Sequence, residues 1–236
     1  MAEPVEPPRR RLTGAIVPAL ALAGLAAVAA LVLASINRQA VAPPAPENCI
    51  LENADGVGGP IDLVDAGGSR VTQADFAGHP ALVYFGFTHC PDVCPTSMYS
   101  LAEAIAAPGG YDVQSVLITV DPERDTPQRM GEYVRTEGFP PGLVGLSGTP
   151  EQVRAAIRAF QVYVRRADPE PGAEPDNYNV DHSSFLYVLD STWRTVAIVP
   201  TMVSADASVP GSPMLPVAPE TIAACISAGL GRGEAP

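Results

Sequence analysis

Residues 81–97 read ALVYFGFTHCPDVCPTS. The first seven are apolar and rich in β-formers, the composition of a short strand buried on both faces. A helix is predicted from about residue 95 to residue 107. Its first turn accommodates Pro95, because the N–H that proline lacks would have no helical partner there. Cys94 then falls at the helix cap and Cys90 in the loop just before it. A strand that runs into a helix through such a loop places both sulfurs at the strand's C-terminal end, where open α/β sheets carry their sites.

The flanking sequence extends this unit. Residues 113–120 (VQSVLITV) predict a second strand, and residues 127–137 a helix with Thr126 as N-cap and Pro127 at N1. A short strand is expected at 143–146. Residues 150–160 (PEQVRAAIRAF) place Val153, Ile157 and Phe160 on one helical stripe. A further strand is expected at 162–164. Residues 61–65 and 70–72 flank Ala-Gly-Gly as a hairpin, 185–189 and 195–199 form a second, and 219–230 a closing helix. Residues 165–181 hold three Pro and five acidic residues and read as a mobile surface loop; residues 200–218, with four Pro, read as a long loop. The fold class is α/β. Alternating strands and helices followed by an antiparallel hairpin and a last helix is the order of a thioredoxin-like fold.

A cysteine at a helix N-terminus meets unsatisfied N–H groups and a partial positive charge, which favour the thiolate. Four-residue spacing brings the sulfurs of Cys90 and Cys94 within reach of one ion or of each other, so metal binding and a disulfide are both open. Two soft thiolates suit Cu(I) and Zn(II), whereas Ca and Mg want oxygen. The chain has three histidines. His79 reads as an exposed turn residue, and His89, next to Cys90 on an extended chain, tends to point the other way. His182 precedes the strand that a thioredoxin-like order sets opposite the cysteine motif, and is the third ligand of choice.

The chain has 26 acidic and 14 basic residues among 236, a net charge of −12. That excludes a phosphate-backbone partner, so no nucleic acid is expected. Residues 14–34 are uncharged and almost wholly Ala, Leu, Val, Ile and Gly. As a helix they would run about 31 Å, the thickness of a bilayer core. Arg9, Arg10 and Arg11 precede this run, so the positive-inside bias leaves residues 1–13 in the cytoplasm and exports the rest. A cleaved signal peptide is the competing reading, with small residues at 32–34 and 40–42, but its apolar region would be shorter. Residues 35–58 form a linker, with QAVAPPAPE at 39–47, and residues 59–230 the functional domain, followed by a tail at 231–236.

Three segments together, GFTHCPDVCP at 86–95, TVDPERDTP at 119–127 and VDHSSFLYVLD at 180–190, resemble the Sco (synthesis of cytochrome c oxidase) or SenC family over about residues 59–227. The resemblance implies a thioredoxin-like fold with an N-terminal transmembrane anchor. It implies one copper ion per chain, bound by Cys90, Cys94 and His182. It further implies delivery of that copper to the binuclear site of cytochrome c oxidase subunit II, on the periplasmic side or in the intermembrane space. Other copper chaperones or thiol reductants of that compartment are further expected partners. Asp121 and Asp125 match the family's acidic motif near the site, as supports of the ligands or as a turn capping the next helix. The departures are Cys49, Cys225 and the Pro-rich insert at 200–218, which carries Met202 and Met214 as soft donors or loop filler. In an exported domain the two extra cysteines suggest a structural disulfide.

Cys90 and Cys94 also fit a thiol-disulfide oxidoreductase that reduces an acceptor's cysteines, or a redox or copper sensor. A thioredoxin-type reductase is expected to have CxxC facing a cis-proline. This chain has CxxxC facing Asp181-His182, which favours metal.

Overall fold

The structure is a computed structural model that describes residues 49–50, 53–106, 111–168, 172, 174 and 176–233. They lie in one compact unit that spans residues 44–236. The expected membrane span at 14–34 is outside the described residues; among these, no helix is long and apolar enough to cross a membrane.

The chain opens with a 3-10 turn at Ala54–Gly56 and a hairpin of β1 (Asp62–Val64) and β2 (Arg70–Thr72). There follow β3 (Ala81–Gly86), α1 (Val93–Ile105), β4 (Gln114–Thr119), α2 (Pro127–Tyr133), β5 (Val144–Leu146) and α3 (Pro150–Ala159). The second half holds β6 (Val164–Arg166), β7 (Val180–His182), β8 (Phe185–Leu189), β9 (Thr195–Pro200), β10 (Met202–Ser204), β11 (Met214–Pro216) and α4 (Pro219–Gly233). The main sheet has the order β5-β4-β3-β8-β9. β3 runs parallel to β4, and β4 to β5; β8 is antiparallel to both β3 and β9.

All six residues of β3 are buried. Successive strand side chains point to opposite faces, and here each face has its own cover. Tyr84 reaches α1, where its hydroxyl donates to Ser97 at 3.3 Å. Phe85 goes the other way into an aromatic cluster with Phe160 and Tyr187, ring centroids 5.3 and 5.9 Å away. A strand covered on both sides has no place for alternating polar residues, which explains the unbroken apolar run of the sequence.

The helix starts follow local chemistry. Thr126 accepts from the Arg129 N–H, and Thr149 from that of Gln152, each followed by proline at N1. Each such cap stabilises its helix by about 1 kcal/mol. Helix α1 begins two residues before its expected start, with Asp92 at the N-cap, so Cys94 is inside the first turn and not at the cap. Pro95 still lies among the orphan donors of that turn, so the sequence is equally compatible with this phase.

Three other expectations are corrected. The C-terminal part of the 35–58 linker belongs to the domain: Ile50 bridges Ile198, Ala54 is buried, and Cys49 is joined to Cys225. The surface loop at 165–181 is anchored at both ends, because β6 pairs antiparallel with β7, setting Val164 opposite His182. The long loop at 200–218 contains a hairpin, β10 with β11, in the register Met202 to Pro216 and Ser204 to Met214. In addition, α4 runs three residues into the expected tail at 231–236.

Candidate metal centre

Beyond the end of β3, Phe87 accepts the Cys90 N–H at 3.2 Å and turns the chain into α1. The Cys94 N–H, one of the helix's orphan donors, is taken up by the Cys90 sulfur at 3.2 Å. Cys90 is half-buried and Cys94 is 1% exposed; neither is disulfide-bonded. Hydrogen bonding from the Cys94 side chain, aided by the backbone N–H groups of the helix N-terminus, lowers the Cys90 thiol to about 4. Burial, then the hydrogen bond with Cys90 and the Cys90 charge, raise Cys94. The pair therefore divides into an accessible thiolate and a buried thiol.

His182 arrives from β7 with Nε2 at 3.5 Å from the Cys94 sulfur. Its Nδ1 lies 2.9 Å from the Ser183 carbonyl oxygen, which can only accept. Nδ1 thus carries the hydrogen, leaving the Nε2 lone pair turned toward the sulfurs, as a metal-binding imidazole requires. Phe87 and Tyr84 stand edge-on to the ring at 5.9 and 6.3 Å between centroids.

A buried hydroxyl relay fixes the separation of the two arms. Thr201 donates to the Ser184 carbonyl at 3.1 Å, so Ser97 must donate to Thr201 at 2.8 Å, and Tyr84 to Ser97. Helix α1, which carries Cys94, is so tied to the segment after His182. Gly86 leaves room for the thiol: a Cβ there would lie 3.1 Å from the Cys94 sulfur.

The acidic motif lies behind the cysteine loop. Asp125, fully buried, accepts from the Thr88 N–H at 3.0 Å, the Thr88 hydroxyl at 2.6 Å and the Thr119 hydroxyl at 2.7 Å. It holds the residue two before Cys90 and does not cap α2, which Thr126 does. Asp121 accepts from Tyr178 at 2.7 Å and pairs with Arg124. Tyr178 is stacked between the guanidiniums of Arg124 and Arg166, at 3.6 and 3.5 Å from its ring centroid. Thr88, Arg124 and Tyr178 were not anticipated as site residues, although Thr88 and Arg124 lie inside two of the three motifs and Tyr178 lies two residues before the third. His79 is exposed, and exposed His89 faces Thr88 and Asp125 at 3.2 and 3.8 Å, outside the Cys94–His182 cleft.

The donor set is soft and nitrogen-containing. Metal–thiolate and metal–imidazole bonds of about 2.3 and 2.0 Å, at angles between tetrahedral and trigonal, put S and N about 3.5–3.8 Å apart. The Cys94–His182 separation of 3.5 Å lies at that span. Among the described residues no three Cys, His, Asp or Glu side chains already form a closed coordination shell. The Cys90 sulfur accepts the Cys94 amide hydrogen at 3.2 Å.

A thioredoxin-like domain with a dithiol at the end of its central strand and a histidine facing it is the class of protein defined here. The SCO1/SenC family model matches residues 51–210, and the chain belongs to that family. Among curated relatives it is 43% identical over 136 residues to SCO1 homolog 1, mitochondrial, of Arabidopsis thaliana, covering 56% of this chain and 39% of that one. It is 37% identical over 147 residues to the SCO2-like protein RP587 of Rickettsia prowazekii, covering 61% and 70%. Among solved structures, copper-bound ScoI of Bradyrhizobium japonicum is 35% identical with a TM-score of 0.56, covering 74% of this chain and 99% of that one. Copper-bound ScoI of Arabidopsis thaliana is 40% identical with the same TM-score, covering 61% and 88%.

Proposed function

We propose that this protein is a copper chaperone that holds one Cu(I) through Cys90, Cys94 and His182 and delivers it to the binuclear copper site of cytochrome c oxidase subunit II. The observation that carries the reading is the convergence of the Cys94 sulfur and the Nε2 lone pair of His182 beside a second, thiolate sulfur. Copper-bound relatives support the choice of metal. Cys90 offers its sulfur as a thiolate; Cys94 releases its proton as the ion binds, so apparent affinity rises with pH. Acceptor thiolates then displace the ligands one at a time.

The domain works outside the cytoplasm, tethered by residues 14–34. The Cys49–Cys225 disulfide supports this, since such bonds persist in oxidising compartments, and so do the three arginines that precede the apolar run.

A second reading rests on the unequal cysteines. The Cys90 thiolate would attack an acceptor disulfide; the Cys94 thiol would lose its proton and displace the mixed disulfide. Two electrons would pass to the acceptor, leaving Cys90 and Cys94 oxidised. Copper stoichiometry on reduced protein separates the two. One copper per chain, lost in Cys90→Ala and Cys94→Ala and weakened in His182→Ala, is the expected result. No copper retention with rapid thiol-disulfide exchange would overturn it in favour of reduction.

A further inference from the structure

Cys94 is buried and Cys90 is partly exposed, so the approach to the centre passes Cys90. On that side is a cavity of about 430 Å³, lined by Cys90, His182, Phe87, Phe185, Met202 and Met214. Its walls are mostly apolar. The two methionines come from the β10–β11 hairpin, the Pro-rich insert. In the register of this hairpin Met202 is opposite Pro216 and Met214 opposite Ser204. Cross-strand partners share a face and so do alternate residues of one strand, which sets Met202 and Met214 as diagonal neighbours on a single face. Val203 and Leu215, paired with each other, take the opposite face. The hairpin thus turns both thioethers to the cavity and its branched hydrocarbons away.

The two side chains differ as a path would require. Met202 is 8% exposed and Met214 is 52% exposed, so one lies deep and the other at the rim. Thioethers are soft, neutral donors that select Cu(I). Asp92 also lines the cavity and adds negative charge that draws a cation inward; Asp181 lines it too, with its charge paired to Arg165 at 2.6 Å.

We propose that Met202 and Met214 form an accessory soft-metal site in which Cu(I) rests on its way between the Cys90/Cys94/His182 centre and the exterior. The transit role rests on the copper reading above; the thioether site itself rests on the hairpin register and the cavity. Binding is by ligand exchange alone: no electron moves, and no proton is released.

The test uses the reduced full chain in detergent, with methionine ε-methyl groups labelled with ¹³C, titrated with Ag(I) as a diamagnetic stand-in for Cu(I). The Met202 and Met214 methyl resonances are expected to shift together, while Met130, fully buried elsewhere in the core, stays in place. Because thioethers carry no proton, the shifts should be the same at about pH 5 and about pH 7.5, unlike binding at the thiols. Met214→Leu, at an exposed position, should remove the Met202 shift at the same Ag(I). Methyl resonances that stay still through several equivalents would overturn the site, as would a Met202 shift unchanged in Met214→Leu. Methyl shifts in a chain that retains no copper at its cysteines would overturn the transit role.

Discussion

The Cys94 amide donates its hydrogen to the Cys90 sulfur, so the first turn of α1 solvates a thiolate four residues behind it. The negative charge of the pair thereby lies on the more accessible sulfur. Iodoacetamide should alkylate Cys90 of the reduced, metal-free protein at pH 6 at close to its rate at pH 8, with Cys94 far slower at both. Mass mapping of each site checks this; equal labelling of the two cysteines would contradict it.

The lowered acidity of Cys90, owed first to the Cys94 side chain and in part to this amide, makes stability depend on pH. Cys90 has a folded-state value of about 4, below its ordinary 9.0. A depressed acid contributes stability in full above its unfolded value and loses it as pH falls toward the folded one. The stability advantage of the wild type over Cys90→Ser, in reduced metal-free protein, should therefore shrink steadily from about pH 9 to about pH 4. Urea unfolding across that window measures it, and an advantage that grows toward acid would refute the assignment.

Asp125 is a buried keystone of the cysteine loop. Asp125→Ala leaves the Thr88 N–H and two hydroxyls without their acceptor. A loss of about 3 kcal/mol is expected on unfolding, with weaker copper retention because Thr88 no longer fixes the loop. A change within experimental error would show that water replaces the carboxylate.

Gly86→Ala is a steric test of the centre. The added methyl meets the Cys94 sulfur and a Tyr84 ring carbon, both at 3.1 Å. Either neighbour yields by a few tenths of an ångström, at a cost of about 1–2 kcal/mol. Copper affinity should fall about tenfold if the sulfur moves. Competition with a Cu(I) chelator reads this; wild-type affinity would mean that the tyrosine gives way instead.

The Cys49–Cys225 bond closes a loop of sequence separation 176, with Cα atoms 5.6 Å apart. Replacing both by serine should cost about 2–5 kcal/mol. The Ile50–Ile198 bridge beside it should exchange its amide hydrogens first. Unchanged protection at Ile50 would show that the segment docks without the bond.

The sequence made the central strand, the cysteine loop and the three motif segments legible because each carries a strong local signal. The apolar run of β3 needs two covered faces, and Thr126-Pro127 and Thr149-Pro150 are helix starts by local chemistry. The β6–β7 and β10–β11 pairs were not legible. Their strands are three residues each, too short to display a period, and their partners lie across Pro-rich segments. The place of Asp125 was hidden for a related reason: its partners Thr88 and Thr119 belong to two different strand ends, joined only by the parallel pairing of β3 with β4. Identity and spacing name the candidate ligands; only the register says which side of the hairpin faces them.

Tyr178, clasped by Arg124 and Arg166, locks the base of the ribbon that carries His182. The cysteines, by contrast, are mounted on the rigid junction of β3 and α1. The centre therefore works as a vice with one jaw on the sheet–helix junction and the other on a two-stranded ribbon, and the cation–π clasp braces the ribbon jaw against the fixed one.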